Sequence, residues 1–168
     1  LYAYWRNMKI AFFFVLSWEK EIIAEKLKEH EMSFYTEPLT ESFDLEKLRG
    51  IEAISVFIYS EINSTLLGRL DNLRFIATRS TGFDHIDLKT CKERRILVSN
   101  VPSYGENTVA EHTFALILAL SRKIIPSVER TKQGNFNLDS LRGFDLKNKT
   151  IGIVGLGKIG AHVARIAY

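Results

Sequence analysis

Cysteine and proline are scarce in this chain, which has one cysteine, Cys91, and three prolines in 168 residues. A single cysteine forms no internal disulfide, and no histidine or further cysteine clusters around it. The sequence therefore predicts neither a disulfide scaffold nor a metal site. A chain of this kind is typical of a reduced, cytoplasmic compartment.

Long hydrophobic runs are also missing. The apolar stretch at 10–16 is shorter than the roughly 20 residues that a membrane-spanning helix needs. Trp18 and Glu19 follow it, where a signal peptide would place small residues before its cleavage site. We interpret the stretch as a buried strand and expect no association with a membrane.

Charge of one sign does not dominate either. The chain has 23 Lys and Arg against 20 Asp and Glu, a net charge of +3, and the two signs are interleaved. A nucleic-acid-binding domain usually concentrates more positive charge on one face, so no nucleic-acid partner is predicted. Hydrophobic residues make up 46% of the chain, which predicts a packed core.

Apolar runs alternate with helical patterns over the first 100 residues. Repeated alternation of this kind predicts a parallel sheet with helices on both faces. Ligands of such sheets bind beyond the carboxyl ends of the strands, here in the loops after Ala77 and Ser99. The predicted strands are 9–16, 32–35, 53–58, 73–77 and 96–99, and the predicted helical segments are 18–29, 45–48 and 66–70.

The pattern changes after Pro102. A long apolar helix is predicted at 107–123, with Thr108 and Glu111 as a capping box, and we expect it to be buried on most sides. Pro126 is expected to bend or restart the helix. A polar loop at 133–142 and a strand at 150–154 complete the pattern.

The sharpest motif is the glycine-rich turn at 155–160, GLGKIG, which follows this strand and opens a helix predicted at 162–168. In a dinucleotide fingerprint, the glycine at Gly155 permits the tight turn and the one at Gly157 lets the backbone approach a pyrophosphate. The glycine at Gly160 lets helix and strand pack closely. The alternative is a βα turn without a ligand. The acidic residue that would hold the ribose, about 20 positions further on, is not in this sequence, so the choice between NAD and NADP is not specified.

Two further segments are less specific by themselves. At 79–88, RSTGFDHIDL, small residues and Gly82 would let backbone amides turn toward an anion. On spacing alone, a plain turn in which Asp87 caps the next helix is favoured. The segment at 101–112, VPSYGENTVAEH, is by itself a loop that leads into a helix.

Taken in this order and spacing, the three segments resemble those of the D-isomer-specific 2-hydroxyacid dehydrogenase family. The usual family forms are a GxDxID loop, a VPxY…VAEH segment and a glycine fingerprint preceded by GxEL. The resemblance covers residues 8–168 and is closest to the D-lactate dehydrogenase-like branch. The matching segments are GFDHID at 82–87, VPSYGENTVAEH at 101–112 and GFDLKNKTIGIVGLGKIG at 143–160.

The resemblance implies an α/β architecture in two parts. Residues 1–100 would be the N-terminal segment of a flavodoxin-like substrate domain, and 101–168 the beginning of a Rossmann NAD-binding domain. The chain would then be the N-terminal part of a longer protein. The protein would interconvert a D-2-hydroxy acid and its 2-oxo acid by hydride transfer, with NAD as cofactor, and form a homodimer.

Family roles carry over to the substrate side as follows. The backbone of Thr81 and Gly82 would bind the substrate carboxylate, and Arg79 and Ser80 would shape that loop. Tyr104 would offer its hydroxyl to the same carboxylate. The catalytic Arg, Glu and His of the family lie beyond the fingerprint, so the resemblance implies no catalytic residue within this chain, and we expect the chain alone to be inactive.

On the cofactor side, the three glycines would form the pyrophosphate turn. Thr108 would lie near the nicotinamide. Lys158 and Ile159 would present backbone N–H groups to the pyrophosphate. Family members usually have Arg where Lys158 stands, which matters little for a contact made through the backbone.

Other interpretations are open. A non-enzymatic, NAD-sensing corepressor would share the fingerprint, although the segment with Tyr104 favours the enzyme. His112, beside Glu111, and His85, near Asp87, suggest a proton-transfer group and a metal site respectively, but a structural role is preferred for both. A receiver domain is disfavoured, because it needs an acidic cluster at the strand ends.

Overall fold

The computed structural model describes residues 7–168. Within it the chain forms two compact units, the first ending at Pro102 and the second running from Ser103 to Tyr168. The division falls two residues after the boundary predicted from sequence. Each unit is described by itself.

The first unit is built on a five-stranded parallel sheet, as predicted. The strands follow the order β2-β1-β3-β4-β5, which is the flavodoxin-like arrangement. The chain order reverses between β1 and β3, so the carboxyl ends of these two strands form the crevice where such sheets bind ligands. The strands are β1 (Lys9–Phe12), β2 (Glu31–Phe34), β3 (Ala53–Val56), β4 (Phe75–Thr78) and β5 (Leu97–Ser99).

Short polar side chains begin the connecting helices. Asp44, Asn63 and Asp87 each accept a hydrogen bond from a backbone N–H in the first turn, which satisfies groups that a helix start leaves unpaired. The capping role predicted for Asp87 is thereby confirmed. The elements are α1 (Ser17–Lys26), a 3-10 helix (Leu45–Leu48), α2 (Ser64–Leu67) and α3 (Leu88–Glu93).

Strand β1 is shorter than its apolar run predicts. The prediction of a strand to residue 16 is wrong, because β1 ends at Phe12 and Phe14 has a φ of +54°. A positive φ takes the backbone out of the extended conformation that a sheet requires. Phe13 nevertheless stays fully buried in the core, stacked on Tyr35.

The second unit contains α4 (Glu106–Ser121), α5 (Ile124–Lys132) and α6 (Lys158–Ala167). The break between α4 and α5 confirms the restart predicted near Pro126. The predicted capping box is wrong, because α4 begins at Glu106, before Thr108. The Ser103 hydroxyl already engages the Glu106 carboxylate at that earlier start, and Glu111 instead accepts from the Asn107 side chain at 2.6 Å.

Two other expectations for this unit also fail. Only Ala110 and Ser121 of α4 are buried, because few described residues of the unit cover the helix, and Leu120 is 74% exposed. Residues 150–154 form no strand with any described residue, since a strand requires a hydrogen-bonded neighbour and none lies beside them. The helix after the fingerprint begins at Lys158, earlier than the predicted 162.

Candidate functional site

The loop that follows β4 is held by hydrogen bonds to its backbone carbonyl groups. The Ser80 carbonyl accepts from the Val101 N–H at 3.0 Å, and the Thr81 carbonyl accepts from Asn100 Nδ2 at 2.8 Å. The buried Ser80 hydroxyl donates to the Gly82 carbonyl at 2.7 Å. All three carbonyl oxygens are therefore engaged within the first unit.

The amide groups of the same loop are left without acceptors. Over residues 7–168, the N–H groups of Thr81 and Gly82 donate to no protein atom, and both residues are exposed. Adjacent amides of this kind form an anion-binding concavity once a negatively charged oxygen reaches them.

The side chain of Arg79, at the start of this loop, donates hydrogen bonds to β3 and to the segment that follows β1. Its Nη2 donates to the carbonyls of Phe13 at 2.9 Å and Phe14 at 2.7 Å, and its Nη1 donates to Ser55 Oγ at 3.1 Å. Its Nε lies 3.8 Å from Glu19 Oε1. Burial lowers the pKa of Arg79 and the Glu19 carboxylate opposes that shift. Since arginine stays protonated in proteins, the guanidinium is charged while it donates these hydrogen bonds.

Hydroxyl groups continue the network under the loop. Thr78 Oγ1 lies 2.6 Å from Ser80 Oγ and 3.1 Å from His85 Nε2. Burial lowers the pKa of His85, and the Asp84 carboxylate partly offsets this. His85 is thus linked to the loop through the Thr78 hydroxyl, which contacts Ser80. No cluster of three or more potential metal ligands occurs among the described residues.

The glycine turn in the second unit has the shape expected for a phosphate cradle. Gly155 has a φ of +93°, which side-chain-bearing residues rarely adopt. At Gly157, which precedes α6, an added methyl group would meet open space, whereas at Gly160 it would collide with the Gly155 carbonyl oxygen. The N–H groups of Ile159 and Gly160 have no acceptor in the part of the chain that the structure describes.

An ion pair joins the starts of α4 and α6. Lys158 Nζ lies 3.6 Å from Glu106 Oε1. The Ser103 hydroxyl is the main cause that holds the pKa of the Glu106 carboxyl below its ordinary value, and the Lys158 ammonium acts in the same direction. The carboxylate also lies at a helix N-terminus, where negative charge is stabilised.

The remaining predicted site residues of the second unit are accessible. Tyr104 is 63% exposed, and Thr108 is exposed on the first turns of α4. His112 is exposed on the same helix. The structure thus brings the fingerprint residues together in the second unit and the loop 79–82 together in the first.

Sequence reasoning missed two residues of the site. Asn100 holds the Thr81 carbonyl, and Glu106 holds Lys158. The one available signal was position, since Asn100 directly follows the last strand of the sheet at its ligand-binding edge.

The fold and the two backbone sites define an α/β protein that combines a flavodoxin-like sheet with a glycine-rich turn at the start of a helix. Residues 12–155 match the family model described as D-isomer specific 2-hydroxyacid dehydrogenase, catalytic domain. The chain belongs to the D-isomer-specific 2-hydroxyacid dehydrogenase family, as its motifs indicated.

Named relatives agree with this assignment. D-lactate dehydrogenase of Escherichia coli is 32% identical over 163 residues, covering 95% of this chain and 49% of the relative. A 2-hydroxyacid dehydrogenase homolog of Zymomonas mobilis is 35% identical over 164 residues, with 95% and 49% covered. The chain therefore spans about half the length of the curated relatives it matches.

A solved structure has a similar fold. D-lactate dehydrogenase from Aquifex aeolicus, complexed with NAD and lactic acid, superposes with a TM-score of 0.87 at 38% identity, over 94% of this chain and 47% of that one. None of the helices described here has the length and apolar character needed to cross a membrane.

Proposed function

We propose that this chain supplies the substrate-carboxylate loop and the start of the NAD site of an oxidoreductase that interconverts a D-2-hydroxy acid, D-lactate or a close analogue, and its 2-oxo acid. Family membership supports the reaction type. The observation that carries the proposal is the loop after β4, whose carbonyls are all held while the adjacent amides of Thr81 and Gly82 stay exposed and unpaired.

The loop binds and orients the substrate. Its two amides hold the carboxylate, so that C2 of the substrate lies at a fixed distance from the sheet edge. Arg79 and Ser80 keep the loop in shape through their bonds to backbone carbonyls. The exposed Tyr104 hydroxyl is proposed as a further donor to the same carboxylate.

The glycine turn fits a dinucleotide, because Gly157 leaves open space and the amides of Ile159 and Gly160 are unpaired. When bound, NAD exchanges a hydride with C2 of the hydroxy acid. Lys158 and Ile159 are proposed to present backbone N–H groups to the pyrophosphate, and Thr108 to approach the nicotinamide. NAD in the Aquifex aeolicus relative supports this choice of cofactor.

The chain by itself is proposed to be inactive. A glycine turn and the helix that follows it cannot by themselves enclose a dinucleotide, and the chain spans about half of its relatives. The complete protein is proposed to be a cytoplasmic homodimer that acts on small 2-hydroxy or 2-oxo acids. It would take its proton-transfer residues from outside residues 1–168.

The test is NADH oxidation with a panel of 2-oxo acids by the product of the complete reading frame, with the 168-residue chain assayed beside it.

Gly82→Pro removes one loop amide, and we expect kcat/KM to fall about tenfold or more, as for the loss of one hydrogen bond to a charged group. Gly82→Ala is the matched control, since an added methyl group would lie 3.9 Å from Asp84 Oδ2, an ordinary contact. Equal activity of the two variants, both correctly folded by circular dichroism, would contradict the role of the loop. Activity of the 168-residue chain would contradict its proposed inactivity.

A further inference from the structure

A polar groove lies in the first unit at the edge of the sheet opposite the loop 79–82. Two turns border it, one at 48–51, just before β3, and one at 70–73, just before β4. Each turn is closed by a backbone hydrogen bond between its first and last residues, at 3.0 and 3.1 Å. Because β3 and β4 are parallel neighbours, their amino ends bring the two turns side by side. The groove, which we call the turn groove, has a volume of about 370 Å³, enough for a small molecule.

Each turn brings an arginine to the turn groove. Arg49 lies within the first turn and Arg69 directly precedes the second, and both exposed residues line the groove. Over residues 7–168, neither guanidinium has a hydrogen-bond or ion-pair partner. A guanidinium presents a planar fork of donors that matches the oxygens of a phosphate group. The turn groove therefore contains two cationic forks that are available to a ligand.

Backbone amides add further donors. Arg49 has φ and ψ of −60° and 121° and Gly50 has a φ of +76°, which is the conformation of a type II turn and requires glycine at the second position. Three residues of the turn groove have N–H groups that donate to no atom in the part of the chain that the structure describes: Gly50, Asp71 and Asn72. Unpaired amides at turns bind anionic oxygens. Donors on both turns can thus reach one anion.

A third guanidinium lies behind the turn groove. Arg94 Nη2 donates to the carbonyl of Leu70, a groove residue, at 3.1 Å. Its Nη1 is buried and has no hydrogen-bond partner among the described residues, an unusual state for a charged donor. Glu46 and Asp71 also line the groove, so two carboxylates stand against three guanidiniums and one positive charge is in excess. A bound anion would compensate that excess.

From these donors we infer that the turn groove is a binding site for the phosphate group of a small molecule, held by the guanidiniums of Arg49 and Arg69. A phosphate group has three terminal oxygens and can accept from both turns at once, whereas a carboxylate has two. The inference goes beyond the proposed function, because it involves neither the loop 79–82 nor the glycine turn.

The experiment is equilibrium dialysis of the complete protein against radiolabelled inorganic phosphate, with saturating NADH to fill the glycine turn. Arg49→Gln and Arg69→Gln are each expected to raise the Kd for phosphate about tenfold or more, as for the loss of a hydrogen bond to a charged group. Asp71→Asn removes a repelling carboxylate and is expected to lower the Kd about twofold or more. Lys28→Gln is the matched control, since it removes the same charge as the arginine variants from an exposed position outside the groove.

The opposite signs of the two effects keep the test independent of folding, because a misfolded variant would not bind phosphate more tightly. Weaker binding in both arginine variants, tighter binding in Asp71→Asn and an unchanged Kd in Lys28→Gln would support the site. Displacement of the labelled phosphate by glycerol 3-phosphate would then assign the site to phosphate esters, and failure to displace it would assign the site to the free ion.

Two results would overturn the inference. One is the absence of saturable phosphate binding, and the other is binding that both arginine variants leave unchanged, as expected for phosphate held only at the loop 79–82. Since no 2-oxo acid enters the measurement, either result would leave the proposed dehydrogenase function standing. Failure to reduce any 2-oxo acid would in turn leave the phosphate site untouched.

Discussion

The guanidinium of Arg79 donates to the carbonyl of Phe14 at 2.7 Å, and Phe14 has a left-handed backbone, with a φ of +54°. The two residues are 65 positions apart in the chain. This contact lies just beyond β1, where the Phe13 N–H still donates to the Ser55 carbonyl at 2.9 Å and the positive φ of Phe14 then turns the chain out of the sheet. Arg79 is also the first residue after β4, where the loop 79–82 begins.

Replacement of Arg79 by lysine is predicted to destabilise the chain. An ammonium group is a compact donor that cannot reproduce the planar fork, which reaches Phe13, Phe14 and Ser55 at once. The expected loss is about 1.5–3 kcal/mol in the free energy of unfolding, the usual range for hydrogen bonds to a charged group. Urea unfolding followed by circular dichroism measures it. Arg69→Lys, at an exposed position, serves as the control, and equal midpoints for the two variants would contradict the role given to Arg79.

Asn100→Asp is predicted to weaken substrate binding. The Asn100 amide donates to the Thr81 carbonyl at 2.8 Å, and a carboxylate there would face that oxygen with a second acceptor. The added negative charge would also oppose a substrate carboxylate at the loop. We expect KM for a 2-oxo acid to rise about tenfold, the size expected for one lost charged hydrogen bond. Steady-state kinetics on the complete protein test this, with Asn72→Asp as the exposed control.

Most of the first unit was predictable because its signals are local. Each apolar run between polar segments became a strand, and the side chain of Asp87 caps the helix that follows it. These features depend on residues that are neighbours in sequence. The order of the strands followed from the family resemblance, since alternation alone predicts a parallel sheet without an order.

The failures arise where distant residues decide local structure. The carbonyl of Phe14, just beyond β1, accepts from Arg79, and the Thr81 carbonyl accepts from Asn100. The start of α4 was misplaced because Thr108 and Glu111 fit a capping pattern, while the Ser103 hydroxyl and Glu106 provided an earlier start. A sequence pattern contains the residue types of such contacts but not their partners.

The charge state of Glu106 is predicted to depend mainly on Ser103. The Ser103 hydroxyl is the first cause that holds the pKa of the Glu106 carboxyl below its ordinary value of 4.5, and Lys158 acts more weakly. A group whose folded pKa is depressed stabilises the fold above its unfolded pKa, and this is lost as pH falls through the folded pKa. NMR titration of the Glu106 carboxyl should show a larger upward shift in Ser103→Ala than in Lys158→Met. The reverse order would contradict the assignment.

The 168-residue chain is predicted to self-associate. The α4–α5 region exposes large apolar side chains, among them Leu120 at 74% and Ile125 at 60%, and such a surface promotes association. Size-exclusion chromatography with light scattering should show more than one species. The double variant Leu120→Lys and Ile125→Lys should raise the fraction of monomer, whereas Leu97→Lys, in the first unit, should not. A monodisperse monomer of the unmodified chain would contradict the predicted self-association.

Three glycine-to-alanine variants are predicted to separate shape from binding at the cofactor turn. At Gly160 the added methyl group would collide with the Gly155 carbonyl oxygen, so we expect a loss of about 1–3 kcal/mol in stability together with weaker binding of NADH. At Gly157 it would meet open space, so stability should hold while the methyl group excludes the pyrophosphate and raises Kd about tenfold or more. Gly152→Ala, also in open space but outside the turn, should change neither. Thermal unfolding and fluorescence titration with NADH on the complete protein measure the two properties. Unchanged NADH affinity in a stable Gly157→Ala variant would show that the pyrophosphate does not lie against this turn.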